Sequence, residues 1–273
     1  MKYGIISDIH SNLHAYKEAL RLLSKKVGVI ICLGDIVGYN ANPKECIALT
    51  KKRKKIKYVI KGNHDEIAHM GLRFSMASSL HRDAYDGLVH TINSIDEKDK
   101  EWLYNLPEFV VIKDRNIKFM ATHGAPLGYS RYEYIFNKYA AVESAKELWE
   151  NFALNLCFFG HTHIPTFFSG NINEIYKASF FDSAEFWLGE GTIADLENQT
   201  YDISDPGKTY LINPGSIGQP RGASRIHSFV IFDSEKKTIQ FECFNYPRDK
   251  AIKAIYKAGY SDRIARRLER KSE

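Results

Sequence analysis

The sequence is poor in the features that mark export, membranes or modular assembly. Its four cysteines, Cys32, Cys46, Cys157 and Cys243, include no C-x-x-C pair, and Cys32 and Cys157 sit in apolar runs, where a thiol packs as a small hydrophobe. That usage points to a reducing cytoplasm. No apolar run approaches the roughly 18 residues of a membrane span. The opening "MKYGIISDIH" carries neither an apolar h-region nor a cleavage site. The expectation is a cytoplasmic protein, neither secreted nor membrane-embedded. Internal repeats and low-complexity linkers are also missing. A chain of 273 residues with 44% hydrophobic content therefore reads as one domain over residues 1–246, with a helical extension, 247–273, packed on it.

The formal charge of +5 has its densest source in "KKRKK", Lys51 to Lys55. This cluster closes a predicted helix that begins after Pro43, where cations suit the negative end of the helix dipole. No recognition motif accompanies it, so it reads as a solvated face, as does the basic tail "RIARRLERK", Arg263 to Lys271. A nucleic-acid partner is not indicated.

Apolar, β-branched runs alternate with helical periods. "YGII" (Tyr3 to Ile6) precedes Leu13, Tyr16, Leu20 and Leu23, an amphipathic stripe, and "VIICL" (Val29 to Leu33), the Pro43 helix and "YVI" (Tyr58 to Ile60) follow. This β-α-β-α-β order predicts parallel strands covered by helices, an α/β fold. Helices are expected around Leu80 to Ile95, Asp96 to Leu106 and Ala141 to Phe152, and strands near Phe109 to Ile112 and Ile117 to Ala121. From Thr209 onward "TYLIN", "SFVIF" and "TIQFECF" read as strands, and a helical tail follows Pro247. Ser169 to Lys208 matches no pattern.

The ends of the strands carry the chemistry. "YGIISDIH" ends in Asp8 and His10, "VIICLGD" in Asp35, "YVIKGNHD" in Asn63, His64 and Asp65, "IKFMATHG" in His123, and "LCFFGHTH" in His161 and His163. In open α/β sheets ligands bind outside the carboxyl ends of the strands, so these loops are expected to converge. Carboxylate, amide oxygen and neutral imidazole together suit borderline divalent metals: Mn first, with Fe, Zn, Ni or Co as alternatives. In an extended strand end, residues i and i+2 share a side, which would aim Asp8 with His10, and His161 with His163, into one pocket. Asp8, His10, Asp35, Asn63, His123, His161 and His163 are too many for one tetrahedral ion. Two ions sharing a carboxylate would use them, and Asp35, alone on its Gly34 turn, is the natural bridge. Ions roughly 3.5 to 4 Å apart are the usual device for in-line phosphoryl displacement.

The ordered motifs "SDIH", "GDIVG", "GNHD", "THG" and "GHTH" resemble those of the calcineurin-like metallophosphoesterase superfamily. "GDIVGYNANPKECI", "YEYIF" and "NPGSIGQPR" extend the resemblance to a bacterial and archaeal branch of predicted phosphoesterases, over at least Met1 to Arg221. The resemblance implies a four-layer α/β/β/α sandwich of two mixed sheets with flanking helices. It implies one metal on Asp8, His10, Asp35 and His163, a second on Asp35, Asn63, His123 and His161, and a bridging hydroxide as nucleophile. The resulting charge of about +1 attracts a phosphate ester. His64 matches the histidine that assists the leaving group, and Asn63, His64 and Arg221 are the expected substrate contacts.

One departure bears on specificity. Protein phosphatases of this superfamily read GD-x-V-D-R-G, whereas "GDIVGYN" puts Gly38 and Tyr39 in place of the Asp and Arg, removing a bidentate phosphate clamp. Arg221 of "GQPRG" either replaces it or is a solvated loop cation. His14, His69, His81, His90 and His227 are expected to be structural, and Asp65 to fix its own turn. Tyr129, Tyr132, Tyr134 and Phe136 either wall the cleft or pack in the core. The expected activity is hydrolysis of small phosphate esters or nucleotides, with phosphodiesters first. Phosphomonoesters, nucleotides and dinucleoside polyphosphates are the alternatives. The reading from another class is a non-catalytic scaffold on the same fold, such as the retromer subunit of this superfamily.

Overall fold

The computed structural model describes residues 1–72, 80–126, 132–171, 173, 199–222 and 225–268. In chain order the elements begin with β1 (Lys2–Ile6), α1 (Leu13–Leu23), β2 (Val29–Cys32), α2 (Pro43–Lys52), β3 (Ile56–Val59) and α3 (Asn63–Met70). There follow α4 (Arg82–Ser94), α5 (Glu97–Tyr104), β4 (Phe109–Asp114), β5 (Ile117–Thr122), α6 (Lys138–Phe152), β6 (Leu156–Phe158) and β7 (Pro165–Asn171). The last are β8 (Thr200–Asp202), β9 (Lys208–Pro214), β10 (His227–Asp233), β11 (Thr238–Phe244), α7 (Arg248–Lys257) and α8 (Asp262–Arg266).

The strands form two mixed sheets. One has the order β3-β2-β1-β10-β11-β8, with β1, β2 and β3 parallel and β10 antiparallel to β1. The other has the order β4-β5-β6-β9-β7, with β5, β6 and β9 parallel and the two edge strands antiparallel. The two-residue period of each strand then divides its side chains between layers. Tyr3 and Ile5 of β1, Ile31 of β2, Phe119 and Ala121 of β5, Phe158 of β6 and Val230 and Phe232 of β10 meet between the sheets. Their neighbours point the other way: Ile6, Ile30, Cys32 and Phe229 pack with Tyr16, Leu20 and Leu23 of α1. Met120 and Cys157 pack with Ala141, Val142, Ala145 and Leu148 of α6. Helix, sheet, sheet, helix is the resulting order of layers. Strands buried on both faces explain the unbroken apolar runs.

One part of the chain lay beyond the sequence patterns, and the helical tail expected after Pro247 adds to the core. In the Ser169 to Lys208 stretch, β7 extends to Asn171 and β8 adds an edge strand, while 172 and 174–198 lie outside the described residues. Beyond Pro247, Ala251, Ile255, Ile264, Ala265 and Leu268 join the same apolar cluster as α1. Asn12 ties this region to the loops above the sheets. Its Oδ1 accepts from Ala15 N at 3.1 Å, capping α1, and its Nδ2 donates to Gly218 O and to Tyr246 Oη, each at 3.0 Å. The four cysteines form no disulfide. Among the described residues no helix is long and apolar enough to cross a membrane.

Phe119 is the keystone of the inter-sheet layer, edge-on to Tyr3, Phe158 and Phe232 at centroid distances of 5.5, 5.7 and 5.2 Å. Phe119→Ala should lower unfolding free energy by about 3–5 kcal/mol in urea titration. Phe109→Ala, at a side chain 36% exposed on the edge strand, should cost less than half as much. Equal losses would show that the layer between the sheets is not the principal core.

Candidate metal centre

The loops leaving β1, β2, β3, β5 and β6 meet at one end of the sheets, and the backbone stitches them together. Asp8 N donates to Gly34 O at 3.1 Å, His10 N to Asp35 O at 2.9 Å, and Gly160 N to His123 O at 2.8 Å. Asp35 Oδ1 accepts from His64 N at 2.9 Å, and Asp8 Oδ2 from His161 N at 3.1 Å. Asp65 does more than fix its own turn. Its Oδ2 accepts from Gly62 N at 3.0 Å, while Oδ1 takes Ile36 N and Val37 N at 2.9 and 3.2 Å, joining the β3 turn to the β2 loop. At Gly62 the chain passes so close to Asp35 that a Cβ would collide with its carboxylate. From below, Ser216 Oγ and Gly218 N hold Asp8 O at 2.8 and 2.9 Å, and Arg221 N donates to His163 O at 3.2 Å.

These bonds hold an unusual backbone. Asp8, His10, Asp35, His161 and His163 have φ of 55°, 46°, 51°, 67° and 61°. Left-handed non-glycine residues cost about 1–3 kcal/mol each and cluster at functional sites. They also correct the expectation that each pair shares a side by extended alternation, because neither segment is extended. The chain coils instead, and His161 and His163 diverge into two adjacent clusters.

The first cluster brings together Asp8, His10, Asp35 and His163, and the second Asp35, His123 and His161, all buried. In the first, His163 Nε2 lies 3.3 Å and His10 Nε2 3.7 Å from Asp8 Oδ1. One oxygen belongs to both: Asp35 Oδ2 is 3.5 Å from His10 Nε2 and 3.4 Å from His123 Nε2. Asn63 Oδ1 stands 3.3 Å from His123 Nε2 and so faces the second cluster.

Three imidazoles have one nitrogen occupied. His10 Nδ1 donates to Val37 O at 3.0 Å, His163 Nδ1 to Gln219 O at 2.6 Å, and His123 Nδ1 to Leu33 O at 2.8 Å. A carbonyl only accepts, so Nδ1 carries a proton in each, and His10 and His163, which burial keeps neutral, present a lone pair at Nε2. His10 Nε2 and His163 Nε2 nevertheless face each other at 3.0 Å, beside Asp8 Oδ1, which has no hydrogen-bond partner. Lone pairs converging in a buried pocket repel unless a positive charge lies among them. Protons are a poor source of it here, since burial holds His10 and His163 well below the ordinary imidazole range. The donor set and its geometry fit a divalent cation.

The other titratable groups report the same crowding. Burial raises Asp8 to about 6 and Asp65 to about 7, and lowers His161 to about 3. Burial also opposes ionisation of Asp35, but His123, His64 and His10 outweigh it and hold the carboxyl well below its usual range. Burial pulls His123 down, but Asp35 beside it outweighs burial and raises the imidazole above its ordinary range, to about 9. Asp35 is thus the charge around which the others are arranged.

A cavity of about 410 Å³ opens over the two clusters, with Asp35, Asn63, His64, His161 and His163 in its floor. Its wall includes Tyr39, Tyr134 and Arg221, and Arg221 Nη2 donates to Tyr39 Oη at 3.1 Å. Arg221 is therefore placed in the cleft and not in solvent. Tyr134 stacks on His161 at 4.0 Å, and Phe136 on Tyr134 at 4.5 Å. Tyr132 hydrogen-bonds Gly62 O at 3.4 Å, and Tyr129 lies outside the described residues. Gly38, at φ 96°, leaves His64 Nδ1 buried without a partner, and a Cβ there would strike that ring.

Sequence reading missed Tyr39, His81 and Arg267 as parts of the wall. Tyr39 had a signal, its place in "GDIVGYN" after Asp35. His81 and Arg267 had none, because only folding brings α4 and the C-terminal tail to the cleft. His90 and His227 behave as structural groups, bonded to Ala41 O and Ile217 O.

If converging lone pairs await a cation, divalent metal should stabilise the chain strongly. Restoring Mn²⁺ at about 100 times its dissociation constant to chelator-stripped protein should add about 2.7 kcal/mol to unfolding free energy. Asp8→Ala should shrink the shift. An unchanged denaturation midpoint with Mn²⁺, Zn²⁺, Fe²⁺, Co²⁺ and Ni²⁺ would refute metal binding here.

Comparison with known proteins agrees with this geometry. Residues 1–237 match the calcineurin-like phosphoesterase superfamily domain. An uncharacterized protein of Methanocaldococcus jannaschii is 31% identical over 266 residues, 97% of this chain and 96% of that protein. The crystal structure of a metallophosphoesterase from Sphaerobacter thermophilus is similar at a TM-score of 0.74 and 28% identity, over 98% of each chain. A hypothetical protein from Pyrococcus horikoshii OT3 shares the fold, with a TM-score of 0.72 at 17% identity over 100% of this chain and 99% of that one. A two-sheet sandwich with buried Asp and His clusters at its loop end, matched by the family pattern along most of its length, makes this chain a member of the calcineurin-like phosphoesterase superfamily.

Proposed function

We propose that the protein is a metal-dependent phosphoesterase with a binuclear centre, acting first on phosphodiesters. The observation that carries this reading is the sharing of Asp35 Oδ2 by the two clusters, 3.5 Å from His10 Nε2 and 3.4 Å from His123 Nε2. Asp8, His10, Asp35 and His163 would hold one divalent ion, and Asp35, Asn63, His123 and His161 the other, Mn first by donor type. When bound, such ions supply Lewis acidity and acidify water at neutral pH.

The chain's own residues do the rest. Asn63 and His64 meet the phosphoryl group in the cavity floor, and Arg221 grips it from the wall, held by Tyr39 where protein phosphatases have their Arg. His64 is the group assigned to the leaving oxygen. Its backbone is fixed by Asp35, and its ring packs between His10 and Tyr39 at 4.9 and 5.0 Å. The substrate is a small phosphate ester or nucleotide, by the size of the cavity. A complete donor set in both clusters speaks against a scaffold without catalysis.

Asp35→Asn should lower turnover of bis-nitrophenyl phosphate by more than the roughly 10–100-fold typical of losing an outer partner of a metal ligand. It should also reduce metal content below that of the unaltered protein. Two tightly bound ions and full turnover in this variant would remove Asp35 from its bridging role.

His64→Ala should slow an alkyl phosphodiester by about 10²–10⁴-fold, the usual worth of a general acid, and bis-nitrophenyl phosphate much less, since nitrophenolate leaves without a proton. Parallel kinetics on the two esters decide it. Equal losses would rule out proton donation, and no loss on either would take His64 out of the mechanism.

A further inference from the structure

The tail that the sequence presented as a solvated basic face is partly buried in an ion-pair clamp. Asp83, in the first turn of α4, is wholly buried, yet both of its oxygens are engaged by side chains from the C-terminal segment: Oδ1 by Arg263 Nε and Oδ2 by Arg267 Nε. Arg263 turns outward and also pairs with Asp86 Oδ2 at 3.1 Å. Arg267 turns inward. Its Nη2 reaches His81 Nδ1 at 3.4 Å, and the residue lines the same cavity as Asn63, His64 and Arg221. The two arginines thus share one carboxylate but only Arg267 reaches the cleft.

This arrangement has the marks of an orienting device. A buried carboxylate paired with Nε restricts the swing of a long side chain, which lowers the entropy lost when its terminal N–H groups bind an oxyanion. Asp83 itself is fixed by α4, whose Gly87 lies so close to the backbone of Tyr39 that no Cβ fits between them. Tyr39 in turn holds Arg221. Arg221 and Arg267 are therefore set on one framework, facing one cavity. Arg267 also lies beyond residues 1–237, the part matched by the superfamily domain, so it adds a cation to the cleft from outside that matched part.

We infer that Arg267 is a specificity-determining residue, and that the substrate it selects is a phosphate ester carrying a second phosphoryl group next to the scissile one. This rests on the phosphoesterase reading of the same cavity. One phosphoryl group meets the floor and Arg221, and the second meets Arg267 and His81. An ester with a single phosphate leaves Arg267 paired with Asp83 alone, with no phosphoryl group to bind.

Calorimetric titration of Mn²⁺-loaded protein, at fixed free Mn²⁺, tests this with two ligands that carry carbon in place of every ester and bridging oxygen: the 5′-methylene phosphonate analogue of AMP, and the ADP analogue with the same 5′-methylene group and an α,β-methylene bridge. The ADP analogue should bind more tightly. Arg267→Ala should weaken it by about tenfold or more, the usual worth of a hydrogen bond to a charged group, and change the AMP analogue by less than about twofold. Arg263→Ala, which breaks the same clamp outside the cavity, should leave the preference for the ADP analogue in place. Equal affinity for both ligands in the unaltered protein would overturn the inference, as would equal losses for both in Arg267→Ala, or loss of the preference in Arg263→Ala. Failure of the phosphoesterase reading shows separately, as absence of bis-nitrophenyl phosphate hydrolysis by the unaltered protein.

Discussion

The structure is organised around a repulsion that the chain alone does not relieve. His10 and His163 each commit Nδ1 to a backbone carbonyl, so their remaining lone pairs face each other at 3.0 Å beside a carboxylate oxygen with no hydrogen-bond partner. Such an arrangement, buried and fully desolvated, persists only where the surroundings over-determine it. The surroundings are extensive. Left-handed residues at Asp8, His10, Asp35, His161 and His163 are clasped by backbone bonds between loops from different strands, and both sheets and the 213–221 loop hold those loops in place. Packing between the sheets, around Phe119, fixes the strand ends to which the loops are attached.

Much of this was legible in the sequence because it rests on local patterns. The β-α-β-α-β order is a matter of hydrophobic period, and polar residues at successive strand ends foretell a shared crevice. What failed was the reason given for pairing Asp8 with His10 and His161 with His163. Strand alternation was assumed to continue into the loops, whereas positive φ at each of these residues turns the chain and sends His161 and His163 to different clusters. The pull of hydrogen bonds from neighbouring loops overrode the local preference, and no single segment carries that information. Asp65 illustrates the same limit. Its own turn was predictable, but its grip on Ile36 and Val37 depends on a contact across 29 and 28 residues.

The tail was legible only in part. Arg263 and Arg267 lie in a run of charge that suits a solvated helix face, and a run of like charge says nothing about an acid buried elsewhere. Asp83 is that acid, and α4 places it where the tail returns. The consequence is a cleft with its floor from strand-end loops and part of its wall from the last described turn of the chain. In the proposed reading, metal chemistry belongs to the strand-end loops and selection among esters to the elements packed around them.

The central claim is that two adjacent sites for divalent metal share Asp35. Diffraction from crystals equilibrated with Mn²⁺, recorded at the manganese absorption edge, tests it most directly. The account predicts two anomalous peaks roughly 3.5 to 4 Å apart, both in contact with Asp35 Oδ2, one among His10, His163 and Asp8 and the other among His123, His161 and Asn63. A single peak, or peaks that leave Asp35 without metal, would contradict it.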